Sequence, residues 1–331
     1  MVAIIRFGLR GAWAAGVRSR LPAAERDFFQ EILTFVEPPL HWIHSLPKPK
    51  DAATLIGVLE DIPPEDRIRH INFNHVLEAQ YEPVLNKIMA RGRWLESEVD
   101  TLLEMLQEER AITVKRKVLQ DELDWWANTE EFGHKILSGL KAYHEVFFAE
   151  DEARIASAIN EALGRAQELA ANLSLPELLE ELSQGVRFTE AMNGAKEEMI
   201  LVPTFWLNPL IVHAPIAPKR WIMAFGGRPA NSSLVPGDAV PDGLFRALKA
   251  LADPTRLRIL RYLMAGPSTP AELARKLRLR PPTVIHHLHI LRLASLIQLT
   301  LEGGERRRYA ARPEMIQISC AALSDFLEQG D

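Results

Sequence analysis

The sequence predicts a mainly α-helical protein: a helical N-terminal domain with a small antiparallel β element, and a C-terminal domain of short helices closed by a β-hairpin. Three observations carry this. Apolar residues recur at helical spacing as far as Ser183, three apolar runs rich in β-branched and aromatic residues follow, and beyond residue 243 short capped helices give way to alternation of period two.

A chain of 331 residues accommodates two or three domains, and 47% hydrophobic with 25% charged residues is the composition of a globular protein. Cys320 is the single cysteine, which leaves no intrachain disulfide framework and suits a reducing cytoplasm. The opening MVAIIRFGLRGAWAAG is apolar, yet Arg6 and Arg10 interrupt it, so a short strand and then a loop or helix are expected. The longest uncharged run, Met199 to Pro218, contains Pro203, Pro209, Pro215 and Pro218 and does not suit a spanning helix. A cytoplasmic location without membrane contact is the expectation. No fixed-period repeat is visible, which disfavours a solenoid.

The first helix expected is Glu25 to Val36, with Phe28, Phe29, Ile32, Leu33, Phe35 and Val36 on one broad side, and the proline-containing stretch Pro38 to Pro49 closes it. Asn74 to Met89, kinked or broken at Pro83, and Arg93 to Arg110, with Leu95, Val99, Leu102, Leu103 and Leu106, are the next two. Thr113 to Phe148 holds two or more helices, broken near Asn128 or Gly133. Ala153 to Ala171 follows with a clear apolar stripe, then a short helix from Pro176 to Ser183. The strings MILVPTFWL, LIVHAP and RWIMAFG read as an antiparallel sheet or pair of hairpins completing the first domain, residues 1–225. The Gly-, Pro- and Ser-rich residues 226–242 read as a linker, leaving 243–331 as the second domain.

Asp253 caps the next helix with Pro254 at its first position, and Leu257, Leu260 and Met264 are spaced for one buried face. Gly266 and Pro267 end it. Thr269 and Pro270 open another helix, buried through Leu273, Ala274 and Leu277. After a tight turn, Pro281 and Pro282 fit only a helix start, and Val284, Leu288 and Leu291 form its stripe, leaving Thr283, His286, His287 and His289 away from it. LIQLTLE and RRRYAA then flank Gly303 and Gly304 as a hairpin, with Arg306, Arg307 and Arg308 on the return strand.

That succession is a winged helix-turn-helix. Its strings LADPTRLRIL and TVxHHLxxL resemble the ArsR-type (arsenic-repressor-like) family of bacterial transcriptional regulators over about the last quarter of the chain. The resemblance implies a DNA-binding regulator, a repressor, acting as a homodimer through the helix before Asp253 and the one from Pro313 to Gln329, with double-stranded DNA as partner. Two positions depart from the family, Pro281 and Ile285 standing where glutamine and serine are common. The family's metal-responsive members use paired cysteines before the reading helix or Asp, His and Glu ligands in the last helix. The helix from Pro270 to Leu277 has no cysteine and the last helix no histidine, so no metal is expected.

Charge supports the same function independently. From Arg246 to Arg312 there are 14 Lys and Arg against 4 Asp and Glu, net +10, while the whole chain is −5 and the remainder therefore −15. A basic domain on an acidic body is the footprint of phosphate binding. The expected division of labour gives phosphates to Arg256, Arg280, Arg292 and Arg306 to Arg308, and base edges to Thr283, His286, His287 and His289.

The N-terminal domain offers less. Glu37, His41 and His44 are a possible metal constellation, but Pro38 and Pro39 break the spacing, and surface or capping histidines are the better reading. Trp94, Trp125, Trp126, Trp206 and Trp221 could line a pocket for a small organic effector, although any one of them is more often an ordinary core residue. No glycine-rich phosphate loop, G-x-S-x-G elbow or His-Glu-x-x-His pair occurs, so neither an enzyme nor a cofactor is expected. The alternative is a helical scaffold or enzyme domain whose winged helix contacts protein.

Overall fold

The computed structural model of the chain describes residues 11–74, 78–110, 114–188, 197–229, 232–233, 240–302 and 306–328. Contacts divide the chain into two compact units, one built chiefly from Arg10–Arg154 with Ala214–Pro218, the other from Ile155–His213 with Lys219–Asp331. The chain is mainly helical with two small sheets.

The first unit is a helical assembly of α1 (Gly11–Arg20), α2 (Ala23–Ile32), α3 (Leu40–Ser45), α4 (Ala52–Asp61), α5 (Arg67–Asn72), α6 (Glu82–Arg91), α7 (Glu96–Arg110), α8 (Arg116–Ala127) and α9 (Thr129–Tyr143). The opening strand expected at residues 1–10 lies outside the described residues. Pro83 starts α6 instead of kinking a longer helix, because at the first positions its missing N–H costs nothing. The break between α8 and α9 falls at Asn128, and Gly133 stays inside α9. There a Cβ would meet the carbonyl oxygen of Pro64, so the glycine serves close approach of two backbones.

Its core places Phe28 edge-on to Trp125 at 5.4 Å and to Phe132 at 5.8 Å, with Phe73 edge-on to Trp126 at 6.1 Å. Trp125 and Trp126 are buried in this core, and Trp94 packs against it. Trp125 and Trp126 are core residues, their rings packed on Phe28, Phe132 and Phe73, whereas Trp94 is half-buried at the edge and donates through Nε1 to Asp124 at 2.7 Å. The buried Arg67 donates to the carbonyls of Leu59, Ile62 and Gly133, satisfying the end of α4 from its side chain. Among the described residues no group of three or more His, Cys, Asp or Glu side chains is arranged to hold a metal ion. None of the described helices is long and apolar enough to cross a membrane.

Along the chain there follow α10 (Ala149–Asn172) and α11 (Leu175–Leu182), the latter opened by a reciprocal capping box between Ser174 and Glu177. After it come β1 (Val186–Phe188), β2 (Glu198–Thr204), β3 (Ile211–Ala217) and β4 (Arg220–Gly226). The order of this sheet is β2-β4-β3, and β2 pairs with β4 in parallel, Glu198 opposite Arg220 through Thr204 opposite Gly226. The parallel pairing of β2 with β4 departs from the antiparallel sheet or pair of hairpins expected, because the strand next to β2 in space is not the next one in the chain. Ala166, Leu178, Leu179, Leu182, Met223 and Phe225 form a small core between the helices and this sheet.

The remaining elements are α12 (Asp242–Leu251), α13 (Pro254–Met264), α14 (Pro270–Leu277), α15 (Pro281–Leu293), β5 (Ile297–Glu302), β6 (Arg306–Ala311) and α16 (Pro313–Glu328). They surround a second core built on Ile259, Leu273, Val284, Leu288, Leu291 and Leu296, each fully buried. The second sheet has order β1-β5-β6, so the hairpin carries an additional strand from Val186–Phe188, paired in parallel with Leu299–Leu301. Three residues are too few for a visible period, and nothing in the sequence announced this strand.

Candidate nucleic-acid interface

The caps that open the C-terminal helices form as their residue types dictate. The Asp253 carboxylate accepts from the backbone N–H of Arg256 at 2.9 Å, and that bond holds its pKa below the usual carboxylate value. Thr269 and Glu272 complete a capping box at the start of α14. The tip of the hairpin at Gly303 and Gly304 lies outside the described residues. Its strands pair antiparallel from Ile297 opposite Ala311 to Glu302 opposite Arg306. Ser268 and Tyr309 exchange two backbone hydrogen bonds of 2.9 Å, which tie the turn before α14 to the wing.

The buried stripe of α13 differs from expectation. Ile259, Leu260 and Leu263 are buried, whereas Leu257 is 49% and Met264 54% exposed. Spacing alone admits both stripes, and the position of α14 and α15 selects the one turned toward them.

In α15 the inward stripe is Val284, Leu288 and Leu291, all with no exposure. At roughly 100° per residue, His286 falls opposite that stripe. It is exposed, as are Pro282, Thr283 and Ile285; His289 is half-buried. His287 is also half-buried, with Nδ1 enclosed and without a hydrogen-bond partner among the described residues. Desolvation lowers its pKa, opposed by the nearby Asp253 carboxylate, so the imidazole is neutral near pH 7. The outer face therefore presents Thr283 and His286 fully, and His287 only in part.

The arginines divide into two sets. Arg292 is 6% exposed, and its Nη2 donates to the carbonyls of Ser183 at 2.6 Å and Pro209 at 3.1 Å. This corrects its expected place on phosphates, because a guanidinium turned into the fold cannot also reach an external anion. Arg256 is likewise engaged, donating to the carbonyls of Ala250 at 2.7 Å and Lys249 at 2.8 Å and lying 3.6 Å from Asp253. It closes the C-terminus of α12 and is corrected in the same way.

Arg280, by contrast, is exposed at the start of α15, and Arg307 is exposed on β6. Arg308 is half-buried on the same strand, and its charge helps keep Glu272 ionised, after the bonds from Thr269. Arg306 is placed on β6 by its backbone pairing with Glu302. Sequence reasoning passed over Arg258, Arg261, Arg275 and Arg278, all exposed on or beside α13 and α14. Neither these four nor Arg280 has a hydrogen bond or ion pair from its side chain within the described structure. Their signal in the sequence was the positive excess itself, which counts charges without saying which are already used.

A helix anchored by one apolar face, an outer face that presents Thr283 and His286 beside the exposed Ile285, unpaired arginines around it and a basic hairpin beside it define a winged helix-turn-helix domain of the DNA-binding kind. Residues 253–298 match the family described as "Bacterial regulatory protein, arsR family". The chain is 32% identical over 83 residues to the transcriptional repressor SdpR of Bacillus subtilis, covering 25% of this chain and 91% of that protein. It is 40% identical over 90 residues to the HTH-type transcriptional regulator CmtR of Mycobacterium bovis, covering 25% and 75% respectively. A crystal structure of an ArsR family transcriptional regulator is similar at 32% identity over 26% of this chain and 93% of that one, with a TM-score of 0.24. The chain belongs to the arsR family of bacterial regulatory proteins through its C-terminal domain, and its role is that of a transcriptional regulator.

Proposed function

We propose that this regulator is a repressor that binds operator DNA as a homodimer, with α15 in the major groove and the hairpin wing on the flanking backbone. The observation that carries this is the contrast between the two sides of α15: Val284, Leu288 and Leu291 fill the core, while Thr283 and His286 stand free beside arginines without acidic partners. Phe245 and Leu248 on α12, and Ile318 and Leu327 on α16, are exposed apolar residues on helices that pack on each other. They supply the surface for a second copy, and two-fold symmetry calls for a near-palindromic operator with half-sites about one helical turn apart.

The helical first unit is the place for a regulating signal, a small organic ligand in this reading. Selection of bound sequences from random duplex DNA, repeated with a panel of metabolites and metals, tests both parts. A palindromic consensus released by one of those compounds is the expected result. Failure to retain any duplex in dilute buffer would remove the DNA-binding reading, and retention that no compound changes would remove the sensing role.

A further inference from the structure

We infer that Arg278, in the turn between α14 and α15, holds a DNA phosphate at the start of the recognition helix, a role that rests on the DNA-binding reading above. A helix N-terminus ordinarily offers unbonded main-chain N–H groups to an anion. Here Pro281 and Pro282 have none, and the N–H groups of Thr283 and Val284 are both spent on the carbonyl of Arg280, at 3.0 and 3.2 Å. The first turn of α15 therefore has no amide left to give, and a phosphate at that end has to be met by side chains.

Arg278 lies three residues before Pro281, the first residue of α15, and its side chain has no structural duty. Its backbone lies at φ 57° and ψ 43°, the left-handed region where its N–H caps α14 on the carbonyls of Ala274 and Arg275. Glycine makes the same cap without the steric penalty of a Cβ, and is the usual residue there. The arginine side chain is exposed and bonded to nothing in the described structure. Arg256, Arg292 and Arg312, in contrast, turn inward onto carbonyl oxygens. An arginine kept in a strained backbone position, free of intramolecular partners and flanked by the equally free Arg275 and Arg280, has the chemistry to grip an external phosphate with its forked donors.

The test compares the full-length chain with R278G and R278K, in binding to several unrelated duplexes across a potassium chloride series and in thermal unfolding. R278G is expected to bind every duplex about ten-fold more weakly. Its log–log salt slope should be shallower by about 0.9, while its thermal midpoint rises by about 2 °C as the backbone is relieved. R278K, which keeps the charge, retains the slope. Wild-type affinity and slope in R278G overturn the inference, as does a loss confined to one sequence or a midpoint that falls with glycine. If the unmodified chain binds none of the duplexes, the DNA-binding reading fails first and takes this inference with it.

Discussion

The guanidinium of Arg292, at the end of the recognition helix, donates to the carbonyl of Ser183 at 2.6 Å, across 109 residues of sequence. Burial, with the charge of Arg312 adding to it, pulls the Arg292 pKa down to about 10 from its ordinary 12.5. The helix end is thereby fixed to the turn Ser183–Gly185, which also receives Arg312 through the carbonyl of Gln184 at 2.8 Å and the N–H of Leu299 through Gly185 at 2.8 Å. Helix, wing and this turn are one hydrogen-bonded assembly within the second unit.

Replacing Arg292 by alanine leaves the Ser183 and Pro209 carbonyls without these donors in a buried place, and should cost about 3 kcal/mol of stability. Denaturant unfolding measures it. The salt slope of DNA binding by the folded fraction should not change; a flatter slope at full stability would return Arg292 to the phosphate backbone.

A fragment of residues 243–331 lacks β1 and the acceptors at Ser183, Gln184 and Pro209. It should unfold at lower temperature than a fragment of residues 155–331, and circular dichroism melts of the two decide the matter. Equal midpoints would show that the additional strand and turn contribute nothing to the winged helix.

On the wing, alanine at Arg306, Arg307 and Arg308 together should weaken binding similarly for all duplexes, and the salt slope should fall by about 0.9 for every phosphate that is no longer neutralised. His286→Ala should instead change which operators are preferred, by about 1–3 kcal/mol at the base pair it reads. Competition binding among operator variants separates the two behaviours, and a uniform loss for His286→Ala would count against base reading.

His287 gives a dependence on pH. Its folded pKa is below the unfolded value, so the unfolded chain binds more protons on acidification and stability rises with pH in that window. The contribution is complete above the ordinary imidazole value of 6.5 and declines as pH falls through it toward the folded value. His287→Gln should therefore lose less stability than the parent between pH 7.5 and pH 5. Identical pH profiles would mean that another group carries the effect.

Leu288 has no exposure, and Leu288→Ala should destabilise by about 3 kcal/mol through reduced burial and a cavity. Thermal unfolding provides the check, and a cost below that of an exposed-site change would contradict the packing of α15.

Local features follow from the order of residues alone. Asp253 and Thr269 cap their helices because a side-chain oxygen needs only an N–H three residues on, and Val284, Leu288 and Leu291 share a face because the helix repeat fixes that spacing. Which arginines face outward depends instead on the folded chain. Arg280 and Arg292 carry the same group on the same helix region, yet one is exposed and the other reaches carbonyls more than eighty residues away. The turn of α13 toward Ile259 and Leu263, and the recruitment of Val186–Phe188 to the wing, are of the same kind. A charge or a three-residue strand has no period to reveal its partner; its place depends on which donors and acceptors the distant chain leaves unsatisfied.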